Sequence, residues 1–132
     1  MNNLLSFFVA ILFFSCNSKD SLEQIFITAP NEFWRYEDSC QSHGVYFKFY
    51  KDGHYDKYIS KPTGEGKGFQ LFNNDGDLIS DVRTWNVKND SVFTWEGANY
   101  DVEKGNKQQI ILHYKDGKKN DCSIIFTKII DQ

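Results

Sequence analysis

From residue 33 onward, aromatic and β-branched residues recur in runs of five to nine, each broken by a short segment of glycine, asparagine or aspartate. This spacing constrains the fold more than any other feature, because it leaves room for strands and tight turns but not for helices. No segment has a credible helical period. The pattern predicts an all-β domain in which antiparallel strands follow one another as an up-and-down meander.

The clearest strand pair is VYFKFYKDGHYDKYIS at 45–60. Apolar residues alternate with tyrosine and lysine over 45–50, which is the period of a β-strand. Asp52-Gly53 supplies the positive φ that a tight hairpin turn requires, and 55–59 returns as the second strand. The tyrosines expected on the face opposite the phenylalanines are Tyr46, Tyr50 and Tyr58.

The remaining strands follow at similar intervals. They are predicted at 69–72, 78–87, 91–96, 100–103, 108–114 and 122–130. About eight strands joined by hairpins close most simply into a small barrel, because closure removes the exposed edges of the sheet.

The start of the chain has a different character. Leu4–Phe14 is apolar except for Ser6, whereas the residues from Asn17 to Ser21 are all polar. A helix that spans a bilayer needs about 20 apolar residues, so the run has the length of a signal-peptide core instead. Together with Ser15 and Cys16, it resembles a bacterial lipoprotein signal peptide, in which a small residue precedes the cysteine that is acylated.

That resemblance implies three segments. Residues 1–15 are a signal peptide, 16–30 the lipidated N-terminus and tether, and 31–132 the barrel domain. The lipid, typically including palmitate, would hold the protein on the outer membrane of the cell envelope, facing the periplasm or the cell surface. The alternative is that 4–14 is a buried helix of the domain and Cys16 a core thiol.

If Cys16 carries lipid, Cys40 and Cys122 remain as a pair in an oxidising compartment. A disulfide between them closes a loop of about eighty residues, with a nominal stabilisation of about 4–5 kcal/mol. Two buried free thiols are the alternative. In a closed barrel with an even strand count, the last strand pairs antiparallel with the first, which brings Cys40 near Cys122. The pairing therefore favours eight strands.

Three stretches of sequence carry a family resemblance: Trp34 near the first strand, FKFYKDGHY at 47–55 and TWNVKNDSVFTWEGANYDVEKGN at 84–106. They resemble the small lipocalin-like domains of Bacteroidota lipoproteins. There, an aromatic residue opens the first strand, a strand–Asp-Gly–Tyr hairpin follows, and a Trp-x-Val-x-Asn/Asp turn precedes a strand ending in Gly-x-x-Tyr. The resemblance covers about residues 33–130 and implies a small lipocalin-like barrel, informing fold more than activity.

Several functional classes find no support in the chain. The formal net charge of −3 and the lack of a basic stripe argue against nucleic-acid binding. His43, His54 and His113 are scattered, and no CxxC, HxH or HExxH spacing predicts a metal site. Glu96 and Asp101 flank a turn and read as solvated residues rather than as a catalytic pair. We therefore expect neither an enzyme nor a cofactor.

The aromatic residues indicate binding. The residues singled out for a ligand or a partner are Trp34, Trp85, Trp95, Tyr46, Tyr50 and Tyr58. One expected function is protein binding through the barrel face or rim, as an inhibitor, immunity factor or assembly partner. The other is a small apolar or amphipathic ligand inside the barrel. The side chains expected to point inward together, which favours a filled interior and a protein partner, are Phe47, Phe49, Trp85, Phe93 and Trp95.

Overall fold

Nine antiparallel strands and one short helix make up the computed structural model, which describes residues 20–73 and 83–131. The elements are α1 (Leu22–Phe26), β1 (Glu32–Asp38), β2 (Gln41–Phe49), β3 (Tyr55–Ser60), β4 (Phe69–Leu71), β5 (Trp85–Lys88), β6 (Val92–Trp95), β7 (Ala98–Gly105), β8 (Gln109–Lys115) and β9 (Asp121–Ile130). The predicted all-β meander is confirmed. The first part of the strand predicted at 78–87 lies outside the described residues.

The strands form one curled sheet, a half-barrel, in the order β4-β3-β2-β1-β9-β8-β7-β6-β5. β1 pairs antiparallel with β9 along the whole length of β1, from Glu32 opposite Ile130 to Asp38 opposite Ile124. The predicted pairing of the first strand with the last is therefore confirmed. Nine strands are described where about eight were expected.

β3 forms backbone hydrogen bonds with segments at both edges of the sheet. At the end of β3, β4 pairs with Tyr58–Ser60. At the start of β3, Tyr55 N donates to Arg83 O (3.3 Å) and Trp85 N donates to Gly53 O (2.9 Å). β3 is therefore bonded to β4 at one end and to the start of β5 at the other.

The turns define two ends of the sheet. The α1 end carries α1 and the turns at 50–54, 89–91 and 106–108, whereas the opposite end carries the turns at 39–40, 61–68, 96–97 and 116–120. The Cys40–Cys122 disulfide lies at the opposite end, where the first turn meets the start of β9. Its Cα atoms are 5.6 Å apart, so the predicted pairing is confirmed.

α1 is held in place by its caps. Ser21 and Gln24 form a reciprocal capping box. The β5–β6 turn adds a third cap, since Leu22 N donates to the Asp90 carboxylate (3.1 Å). Residues 22–28, within the range expected to be a tether, thus belong to the folded body.

The core is mainly aromatic. The Phe26 ring stacks on that of Phe93 with centroids 4.3 Å apart, and it meets the Phe49 ring edge-on at 5.3 Å. The large side chains that are fully buried are Phe26, Trp34, Phe49, Phe93, Ile110, Leu112, Ile124 and Phe126. The five side chains expected to point inward are all buried in this cluster, so the interior is filled as predicted.

The leader and the lipid acceptor lie outside the described residues. These are the signal peptide at 1–15 and Cys16, so their assignment stays a prediction. Within residues 20–73 and 83–131, no helix has the length and apolar character that crossing a bilayer requires.

Candidate functional site

The three tryptophans singled out from the sequence lie in the core. The Trp34 indole donates to Phe26 O (3.0 Å), and that of Trp85 donates to both His54 O (2.9 Å) and Tyr50 O (3.1 Å). Trp34 and Trp85 therefore fix α1 and the β2–β3 turn and offer no surface to a partner. Trp95 is also buried, but it lines a cleft.

The three tyrosines lie on the outer face of the sheet, opposite Phe47 and Phe49, as predicted. Tyr46 is directly opposite Tyr58 in the β2–β3 register. The Tyr50 hydroxyl donates to Asp56 (2.8 Å) and lies 3.5 Å from the hydroxyl of Tyr58. All three are half-buried. The structure therefore brings the predicted tyrosines together and separates them from the tryptophans.

Two further rings complete a cluster that we call the outer aromatic face: Phe33, Tyr46, Tyr58 and Phe69. The Phe33 centroid is 5.1 Å from that of Tyr58 and 4.4 Å from that of Phe69, and Phe69 is 4.4 Å from Tyr46. Phe33 is only 6% exposed, although it points away from the main core. Ring contacts of this kind stabilise by about 0.5–1.5 kcal/mol beyond area burial.

Sequence reasoning missed Phe33 and Phe69. The signal for Phe33 was present, because consecutive side chains on a strand point to opposite faces. Trp34 points into the core, so its neighbour had to point out. Phe69 is on a strand of three residues, too short to show alternation.

A lysine covers the outer aromatic face on one side. The Lys48 ammonium lies 4.4 Å from the Phe33 centroid and donates to Pro30 O. Burial lowers the pKa of Lys48, and nearby carboxylates, including that of Asp131, oppose this shift. On the other side, Leu71 lies opposite Tyr58 in the β3–β4 register and is 57% exposed. An exposed apolar side chain thus continues the buried cluster.

A cleft of about 250 Å³ opens beside β3, β6 and β7 and is here called the mouth cleft. Its lining residues are Phe47, Tyr55, Lys57, Arg83, Trp95, Glu96 and Tyr100. The Tyr55 hydroxyl donates to the carboxylate of Glu96. Glu96 lies in a tight turn and has a positive φ of 52°. The Trp95 indole N–H is buried and forms no hydrogen bond of good geometry. It lies close enough to the Tyr55 hydroxyl to lower the pKa of that phenol, against the larger effect of burial.

Beside the mouth cleft, Asp38 organises two more phenols. Its carboxylate accepts hydrogen bonds from Tyr36 (2.8 Å) and Tyr114 (2.7 Å). Burial, and then the bond to Asp38, raises the pKa of Tyr114 to about 12 and that of Tyr36 further. Burial also raises the pKa values of Tyr55 and Tyr100. These phenols therefore act as neutral donors at ordinary pH and make poor bases or nucleophiles.

The disulfide lies close to a carboxylate. Ligand-type atoms of Cys40, Cys122 and Asp116 are within 4.8 Å of one another. Both sulfurs are joined in the disulfide, and a metal ligand has to be a thiolate, so the oxidised protein does not present a metal site there.

No protein-family model, curated protein or solved structure matches this chain.

Proposed function

We propose that this protein is a lipid-anchored binding protein of the cell envelope, with no catalytic activity, that engages a protein partner through the outer aromatic face. Acylated Cys16 would hold it on the outer membrane. The role fits an inhibitor, an immunity factor or an assembly partner. The observation that carries the proposal is the contrast between a filled interior and an aromatic cluster on the outside.

The filled interior argues against a carrier. Eight-stranded barrels hold a ligand only where the inward side chains leave space for it. Here the rings of Phe26, Phe49 and Phe93 occupy that space, with centroids 4.3–5.6 Å apart. Aromatic anchors surrounded by apolar contacts are, in contrast, typical of the centre of protein interfaces.

We also propose a closed, eight-stranded lipocalin-like barrel of the kind seen in Bacteroidota lipoproteins. β4 and β5 run in the same direction beside β3, one bonded to its end and the other to its start. They behave as two halves of one strand, interrupted by the residues between Phe72 and Arg83. Counted in this way, the strands number eight. The ring would then close between β3 and β5, which are the third strand and the second half of the fourth.

Cross-linking in the producing organism tests the partner surface. A photoreactive amino acid at Leu71, beside the outer aromatic face, should give a covalent adduct with one protein. The same amino acid at Lys118, in the exposed β8–β9 turn, is the matched control and should give none.

The identified protein is then purified and its affinity measured. Leu71→Asp should weaken binding roughly tenfold or more, because a carboxylate in an apolar contact loses its hydration, whereas Lys118→Asp should leave the affinity unchanged. No adduct at Leu71, or equal affinities for the two variants, would contradict the proposal.

The mouth cleft supports a second candidate function, the binding of a small amphipathic ligand. Its aromatic wall offers apolar contact, while Lys57, Arg83 and Glu96 offer charge at the rim. Native mass spectrometry of the purified protein should then show a bound small molecule that is lost in Tyr100→Ala. The apo mass alone would argue against this function.

A further inference from the structure

The chain enters the folded body at the α1 end. Asp20, the first described residue, forms an ion pair with Lys107 of the β7–β8 turn (3.0 Å). Ser21 and Leu22 follow in the caps of α1. The point of entry is therefore fixed against two turns of this end.

Covalent geometry limits how far this end can lie from a lipid on Cys16. Three residues lie between Cys16 and Asp20, so four steps join the two Cα atoms, and a fully extended chain spans at most about 14 Å over them at about 3.6 Å per step. The seven residues of β1 lead to the opposite end, about 20 Å further away at about 3.3 Å per residue. A tether this short brings the α1 end to the bilayer and holds the opposite end away.

The α1 end presents a groove of about 340 Å³ beside the point of entry. Its apolar wall includes Ile27 and Ile130, and Ile130 is 49% exposed. Lys107 lies at its rim and Lys128 deeper, with the Lys128 ammonium 3.0 Å from the Glu32 carboxylate and 4.0 Å from the centroid of the Trp34 ring. Lys128 is largely buried in its pair with Glu32, whereas the Lys107 side chain is exposed. The exposed Ile130 and Lys107 suit the headgroup region of a bilayer, where apolar side chains and aliphatic stems are buried and ammonium groups stay hydrated.

We infer that the α1 end is the membrane-facing surface of the acylated protein, and that its groove lies against phospholipid headgroups. The inference rests on the proposed acylation of Cys16. It leaves Leu71 and the outer aromatic face on the side of the barrel, free of the bilayer and open to a partner.

Nuclear magnetic resonance of the acylated protein in lipid nanodiscs tests this orientation. The discs contain phosphatidylethanolamine and phosphatidylglycerol, with a headgroup chelate that holds either gadolinium or diamagnetic lanthanum. Gadolinium should remove the amide signals of 105–108 and 130 while the signals of 63–66 and 116–120 persist, because paramagnetic broadening falls steeply with distance. Equal loss at both ends, or greater loss at the opposite end, would overturn the inference.

Two matched variants separate the surfaces. Ile130→Asp should restore signals around the groove, because it puts a carboxylate against the headgroups, whereas Leu71→Asp should leave the gadolinium pattern unchanged. A pattern that Ile130→Asp does not alter would also overturn the inference.

The mass of the purified protein distinguishes this failure from that of the anchor. A chain without acyl groups on Cys16 would overturn both proposals. An acylated chain with an even loss of signal would overturn only the membrane-facing surface.

Discussion

At the scale of single residues, Gly105 shows how closely α1 approaches the sheet. A Cβ atom built on Gly105 would lie 2.6 Å from Leu22 Cδ1, far inside contact distance. Leu22 is itself buried and starts α1. Because Gly105 has no side chain, the helix can pack against this end of β7.

Gly105→Ala should consequently lower the free energy of unfolding by about 1–3 kcal/mol, because Leu22 has to leave its position. Urea unfolding measures the change. Gly117→Ala is the control, since its Cβ would meet nothing within 4 Å. Combining Gly105→Ala with Leu22→Ala should cost less than the sum of the single changes, and additive costs would show that the two residues do not compete for space.

At the scale of elements, α1 depends on its tertiary contacts. Five residues are far too few for a helix that is stable alone. Phe26 supplies the main contact, since it is fully buried and stacked on Phe93. The helix is in effect the support for one core ring.

Phe26→Ala should therefore destabilise the protein by about 3–5 kcal/mol through the cavity it leaves. Glu23→Ala, on the exposed side of the same helix, should change stability by less than about 0.5 kcal/mol. Thermal or urea unfolding of both variants compares them directly. Similar losses in the two would show that the helix is stabilised by its own turn rather than by the Phe26 ring.

Sequence alternation predicted the strands well and the helix poorly, for physical reasons. The 45–60 hairpin shows both a period of two and an Asp-Gly turn, and the structure has both strands. Five helical residues are too few to show a period, so the alternation pattern did not reveal α1. Trp34 and Trp85 lie in the core although the sequence favoured them for binding, because a large aromatic ring serves a core and an interface equally well and only the register decides between them.

At the scale of the whole molecule, the phenols link stability to pH. Burial raises the pKa values of Tyr36, Tyr50, Tyr55, Tyr100 and Tyr114 above the ordinary value of about 10. Above pH 10 the unfolded chain loses these protons while the folded protein keeps them. The unfolded state then binds fewer protons, so the free energy of unfolding falls as pH rises.

This stabilisation should be complete below pH 10 and decrease steadily above it. Urea unfolding at several pH values between 9 and 11.5 measures the slope, and phenolate absorbance in the ultraviolet reports ionisation directly. Tyr114→Phe should give a shallower slope, because one linked group is gone. Phenolate absorbance that rises near pH 10 while the protein is still folded would contradict the buried hydrogen-bonded arrangement.

The disulfide acts on the whole molecule because it joins the two ends of the β-meander. Cys40 follows β1 and Cys122 begins β9, 82 positions apart in the sequence. Constraining so long a loop in the unfolded chain should contribute about 4–5 kcal/mol.

A reductant should therefore lower the urea midpoint of unfolding. The Cys40→Ser/Cys122→Ser variant should have the midpoint of the reduced protein, and the reductant should not change it. Because β1 and β9 are paired by seven consecutive residues, the reduced protein should keep its sheet and lose stability only. A reductant that leaves the midpoint unchanged would mean that the strand pairing alone holds the two ends together.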